Sequence, residues 1–378
     1  MPKILGRSVY LTEFENQRAP LAAPAAGGAP VFISLHISEE FSPEYCARVR
    51  SLCAALRQQG WQILADVSCK TVQQFGCADL ADLAEELGLW GLRLDYGFSL
   101  EQMQSMAQRL PIAVNASTTT PELAAALAGA GRKVIAMHNF YPRPETGLDP
   151  AFLHESTQAL QAAGLEVYGF IPGDAVLRGP LYSGLPTLED HRGAAPSAAF
   201  ADLALNYGLD GIFVGDPALS EYEQGLIDHF CTSGELCVPA VLRPGYQALY
   251  GRSFTCRVDS PATLVRFPES REYSCFGQEI QPENCAARPR GTLTVDNIGY
   301  GRYSGEVQLM RTDFAADPRV NVIGHISPRH QLLLDCIRRG AKFRLVAPPG
   351  WRCCLPPAAP DRVCRPSWCS CSPPGCIP

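Results

Sequence analysis

Lysine is nearly absent from this chain: Lys3, Lys70, Lys133 and Lys342 are the only four in 378 residues. Arginine therefore carries almost all of the positive charge, and its planar fork suits carboxylates and phosphates, although a GC-rich coding sequence gives the same bias. The net charge of −6 argues against general binding to nucleic acid or to an anionic membrane. No run of about 18 apolar residues occurs, so no membrane-spanning helix is expected. A basic N-terminal region followed by an apolar core and a cleavage site is also missing, and the two absences together point to the cytoplasm. No Gly-rich phosphate turn follows an early strand, which disfavours a doubly wound nucleotide-binding sheet. Cysteine is plentiful at 16 residues, yet the paired Cys-x-x-Cys spacing of a zinc site is lacking. Ten cysteines lie singly between residues 46 and 336, and the other six crowd a Pro-rich tail. Neither a metal nor a cofactor is expected.

What is present is apolar content of 46%, enough for a soluble protein with a large core. Strand-like runs occur at residues 4–10, 31–36, 61–67, 90–95, 111–115, 133–138, 165–171 and 210–215. Between most of them lie amphipathic stretches such as 44–59 and 71–87, with apolar residues at three- and four-residue spacing. Alternating strand and helix implies parallel strands with crossover helices. Eight such units in residues 1–236 predict an α/β fold, a (β/α)8 TIM barrel. The first helix is expected to be short, kinked or partly disordered, because Pro20, Pro24 and Pro30 interrupt it. Residues 237–346 read as a smaller, mainly β domain with strands near 254–258, 263–267, 291–295, 306–310 and 320–326, and a helix over 330–339. The Pro/Cys-rich tail, 347–378, has no periodicity and is expected to be disordered.

Sites of barrel enzymes lie at the carboxyl ends of the strands. Those ends carry Tyr10 and Glu13, His36, Asp66 with Ser68, Asp95 with Tyr96, Asn115, His138 with Asn139 and Tyr141, Asp174, and Asp216. The densest is His138 to Leu148, where an imidazole, an amide, a phenol and a guanidinium precede a proline-stiffened turn. The longest loop, residues 172–192, adds Arg178, Glu189, His191 and Arg192. Carboxylates, amides and phenols at successive strand ends suit a sugar-binding acid/base site. A single Asp after a strand, however, is often only a helix cap.

The chain resembles the 6-phospho-N-acetylmuramidase family, barrel proteins with a cyclophilin-like C-terminal domain. The resemblance runs from about residue 4 to 346. It rests on blocks 5–10, 32–36, 65–68, 93–97, 115–117, 138–148 and 178–192, and on Arg290, Gly291, Asp296, Asn297 and 300–303 in the second domain. It implies a cytoplasmic glycosidase of cell-wall recycling that cleaves the β-1,4 bond of the disaccharide N-acetylmuramic acid 6-phosphate–N-acetylglucosamine. Chemistry then assigns the roles. Asp95 and Glu189 are the expected catalytic carboxyls, with Asp66 and Asp174 in reserve. Arg143, Arg178 and Arg192, with Arg302 reaching in from the second domain, are the phosphate candidates. Asn115, His138, Asn139, Tyr141 and His191 complete the expected substrate contacts.

Three other functions compete. A metal-dependent barrel hydrolase usually shows a His-x-His pair after an early strand, where this chain has His36 alone. A pyridoxal-phosphate enzyme needs a lysine at the mouth, and Lys70 is the one candidate. A non-catalytic sugar-phosphate binding protein would use the same scaffold without turnover. The oligomeric state is not legible.

Overall fold

The computed structural model describes residues 4–21, 29–35, 44–270 and 279–350. His36 and the tail beyond residue 350 lie outside them. The eight expected runs all form strands: β1 (Ile4–Val9), β2 (Pro30–Ser34), β3 (Gln62–Val67), β4 (Gly91–Leu94), β5 (Ile112–Asn115), β6 (Val134–Met137), β7 (Glu166–Ile171) and β8 (Gly211–Val214). They are parallel and follow chain order into a closed barrel, with β8 pairing back to β1 from Ile4–Gly211 to Arg7–Val214. The helix after β1, α1 (Phe14–Leu21), includes Pro20, and residues 22–28, with Pro24, fall outside the described residues. Later helices start on local signals. Ser99 and Gln102 form a capping box for the helix Leu100–Arg109, and Asp149 caps Pro150–Ala162.

Alternation along the strands decides what faces the barrel axis. Phe32, Leu64, Ile135, Met137, Tyr168, Phe170 and Phe213 pack together as the interior core. Their strand neighbours, among them Ile33, Ala65, Ala136 and Val167, belong to the cluster beneath the helices. The Phe170 ring lies 5.3 Å from Phe32 and 5.8 Å from Phe213, closing the bore with aromatic contacts. Two residues further along the same strands, the interior positions become polar: Ser34, Asp66 and Asn139. Arg93 joins them, since its neighbours Leu92 and Leu94 face the helices.

A seven-stranded sheet follows: β9 (Leu236–Leu242), β10 (Ser253–Thr255), β11 (Leu264–Arg266), β12 (Thr292–Asp296), β13 (Val307–Met310), β14 (Val320–Ile326) and β15 (Lys342–Val346). Their order is β10-β15-β9-β14-β12-β13-β11. All neighbours are antiparallel except β9 and β15. The expected 330–339 helix contracts to the single turn Leu333–Cys336.

The helix Pro196–Leu205 joins the two cores. Every residue from Pro196 to Ala204 is buried, as befits a largely apolar helix. Phe200 and Leu203 pack in the barrel's outer core, and Ala198 and Ala201 in that of the second sheet. Nearby, Glu223 accepts from Ser197 N at 2.9 Å and meets His330 Nε2 of the second domain at 2.9 Å. Both side chains are buried, so Glu223→Ala would leave two unsatisfied polar groups. It is expected to lower the melting temperature by at least about 3 °C; an unchanged melt would show that the pair contributes nothing. No described helix is long and apolar enough to cross a membrane.

Candidate active site

Arg93 stands at the centre of the polar layer above the aromatic plug. Only 3% exposed, it donates through Nη1 to Asp66 Oδ1 at 2.6 Å and reaches Asp95 Oδ1 at 3.5 Å. Its Nη2 donates to the side-chain oxygen of Asn139. Ser34 Oγ lies 3.5 Å from the other Asp66 oxygen. The two carboxylates differ in access: the Asp66 side chain is 9% exposed and that of Asp95 22%. A buried guanidinium is thus held by two carboxylates and an amide, from β3, β4 and the end of β6, on the barrel's interior face.

The loops after β6 and β7 are stapled to each other, and Glu189 is the staple. Its carboxylate accepts from Glu145 N and Gly147 N, each at 2.8 Å, and from Arg192 Nε and Nη2 at 2.6 and 2.8 Å. A Cβ on Gly147 would stand 2.6 Å from Glu189 Oε2, so the turn needs glycine there. The Arg192 guanidinium, aided by those two amides against partial burial, holds the Glu189 carboxyl down at about 2. Arg192 spends its remaining donors on the carbonyls of Tyr141, Ser183 and Gly184. Such surroundings suit loop fixation, not proton donation by Glu189 or phosphate binding by Arg192. Because the folded value lies below the ordinary 4.5, the staple's contribution is complete above that pH and is lost as pH falls towards 2. The protection factor of the Gly147 amide, corrected for the intrinsic exchange rate, should fall across that interval, and Glu189→Gln should produce the same fall at neutral pH. Unchanged protection in both would deny the staple.

Two further acids fix the β7 loop. Asp216, 1% exposed, accepts from Gly173 N, Leu185 N and Arg178 N. Burial pushes its carboxyl up against those bonds. Asp174 binds Ser220 through N at 2.8 Å and Oγ at 2.7 Å, tying the loop to the start of the helix Glu221–Ser233. Arg178 lays its guanidinium 4.4 Å from the Tyr10 ring centroid. Among the described residues, neither Arg178 nor the exposed Arg143 forms an ion pair, although the Arg178 charge acts on Asp216.

His138 is fully buried on the helix side of its strand, with Nδ1 3.1 Å from Ser117 Oγ. Burial pushes its ring down to about 4, so it is neutral. Asn115 Oδ1 accepts from Ser117 N, and the Tyr141 hydroxyl lies 3.5 Å from Ser117 Oγ. His191 is fully buried against Asp202 of the helix Pro196–Leu205, at 2.8 Å, and none of its described contacts reaches the Arg93 group. Arg302 rests on Tyr303, donating to its hydroxyl at 2.9 Å, and none of its described contacts reaches the barrel. The structure thus brings together Asp66, Asp95 and Asn139 from the expected set. It adds Arg93, whose signal was a charged residue between two leucines inside a buried strand. Among the described residues, no group of three or more His, Cys, Asp or Glu is arranged to hold a metal ion.

Residues 5–228 match the family model described as 6-phospho-N-acetylmuramidase, N-terminal, and residues 242–346 its C-terminal counterpart. Among solved structures, the chain is similar to a conserved protein of unknown function from Enterococcus faecalis. Identity is 34%, over 91% of this chain and 96% of that one, with a TM-score of 0.77. It is also similar to an uncharacterized B. cereus protein at 24% identity, over 92% of this chain and 100% of that one, with a TM-score of 0.73; that likeness speaks for the fold alone. No curated protein matches the chain.

Proposed function

Since the chain belongs to the 6-phospho-N-acetylmuramidase family, we propose that it hydrolyses the β-1,4 bond between N-acetylmuramic acid 6-phosphate and N-acetylglucosamine, as a cytoplasmic step of peptidoglycan recycling. The observation that carries this reading is the Asp66–Arg93–Asp95 group on the interior face of the barrel mouth. Glycoside hydrolysis needs a carboxyl to protonate the leaving oxygen. It also needs a second carboxylate, acting directly or through the sugar's own 2-acetamido group. Asp95, the more open of the two, is the proton donor in this reading, and Asp66 is its partner. Glu189, Arg192, Asp174 and Asp216 shape the loops around them.

Arg178 and Arg143 are the phosphate ligands, because neither guanidinium is closed in an ion pair among the described residues. Arg178 is already oriented by Tyr10. Asn139, Asn115 and Tyr141 are left for hydroxyl, acetamido and lactyl groups. Residues 1–236 form the catalytic domain and 237–346 a cyclophilin-like domain that braces the β7 loop, its Arg329 carbonyl accepting from Ala195 N at 2.8 Å. Purified protein incubated with the disaccharide phosphate should release N-acetylglucosamine and N-acetylmuramic acid 6-phosphate in equal amounts, with or without a chelator. Binding without release would favour a sugar-phosphate sensor, and loss on chelation a metal-dependent hydrolase.

A further inference from the structure

We propose, resting on the glycosidase reading above, that Arg93 is a positioning residue that holds Asp66 and Asp95 at the short separation of a configuration-retaining hydrolase. Both carboxylates contact the same nitrogen, at 2.6 and 3.5 Å, so the two contacting oxygens stand within about 6 Å of each other. Retaining sites place their carboxyls about 5–5.5 Å apart, whereas inverting sites open to about 6.5–9.5 Å to admit a water between acid and base. β3 and β4 are adjacent, with Asp66 opposite Arg93. Asp95 is therefore a diagonal neighbour of Asp66 on the same interior face.

Without a cation between them, the two carboxylates would repel each other and splay once Asp95 has given up its proton. Arg93 is only 3% exposed and is further fixed by Asn139, so the clamp is rigid and shielded from water. A surface lysine would give no such geometry, because one ammonium cannot serve three acceptors in a plane.

The reaction then runs in two displacements. Asp95 gives its proton to the oxygen of the departing N-acetylglucosamine as the C1–O bond breaks. C1 is captured on its opposite face by the substrate's acetamido oxygen, oriented by Asp66, or by Asp66 itself. Water next attacks C1, passes its proton to Asp95 and expels the captured oxygen. Two inversions restore the starting configuration on either branch.

The decisive experiment records the first-formed anomer of N-acetylmuramic acid 6-phosphate by time-resolved proton NMR with the wild-type chain. The β anomer appearing first is expected, and the α anomer appearing first would overturn the proposal while leaving the glycosidase reading intact. Absence of any cleavage would remove that reading and this one with it. As a second arm, Arg93→Lys should lower kcat at least about a hundredfold with KM changed less than about threefold. A near-normal kcat in Arg93→Lys would show that charge alone suffices and would overturn the positioning role.

Discussion

Asp95→Asn is expected to leave the fold intact and to reduce turnover at least about a hundredfold, the usual scale for a positioned proton donor. The prediction rests on an asymmetry within the Arg93 group. Asp95 lies 3.5 Å from Arg93 and its side chain is 22% exposed, and asparagine keeps its size and shape. It removes the one proton that the departing sugar requires. Asp66→Asn should behave differently. It weakens a 2.6 Å charge-assisted bond in a buried setting and leaves Arg93 short of negative charge. That variant should lose both turnover and several degrees of melting temperature. Thermal melts and initial rates on the two purified variants make the comparison. A wild-type rate in Asp95→Asn would end its assignment as the acid.

The barrel was readable because each strand is an apolar run bounded by helical periodicity, and that signal survives even the proline-broken first unit. The second sheet was only partly readable. β9 is central yet contains Pro239, which cannot donate to a ladder and counts against a strand. Its carbonyl still accepts from Ser327 N at 2.9 Å, so the strand tolerates the proline at the loss of one donor. β15 is five residues long and lies inside the expected second domain, yet is not among its expected strands.

The site divides in the same way. Strand ends are positions in a sequence, so Asp66, Asp95 and Asn139 could be named from it. Partners are distances, so nothing in the residues 172–192 revealed that Glu189 and Arg192 consume each other. Arg93 escaped for a further reason. A parallel strand is buried on both faces, so its alternation is hidden and an interior arginine reads as an interruption.

The 6-phosphate is expected to matter nearly as much as the acid. The disaccharide lacking it should be cleaved with kcat/KM at least about two orders of magnitude lower. An arginine aimed at a neutral hydroxyl leaves its donors poorly paired, at about 1–3 kcal/mol per buried group. Binding energy from that remote group also positions the glycosidic bond, so the loss should appear in kcat as well as in KM. Arg178 is the stronger candidate of the two, because Tyr10 orients its guanidinium and Asp216 anchors its backbone. Arg178→Ala should therefore narrow the difference between the two substrates more than Arg143→Ala does. Equal cleavage of both disaccharides by the intact enzyme would remove the phosphate from the account.

A crystal structure of the Asp95→Asn variant with the disaccharide phosphate bound tests the central claim most directly. The glycosidic oxygen is expected within hydrogen-bonding reach of residue 95, the sugar over Asp66 and Arg93, and the phosphate against Arg178 or Arg143. A disaccharide seated away from the Arg93 group, with its glycosidic bond facing other carboxylates, would contradict it.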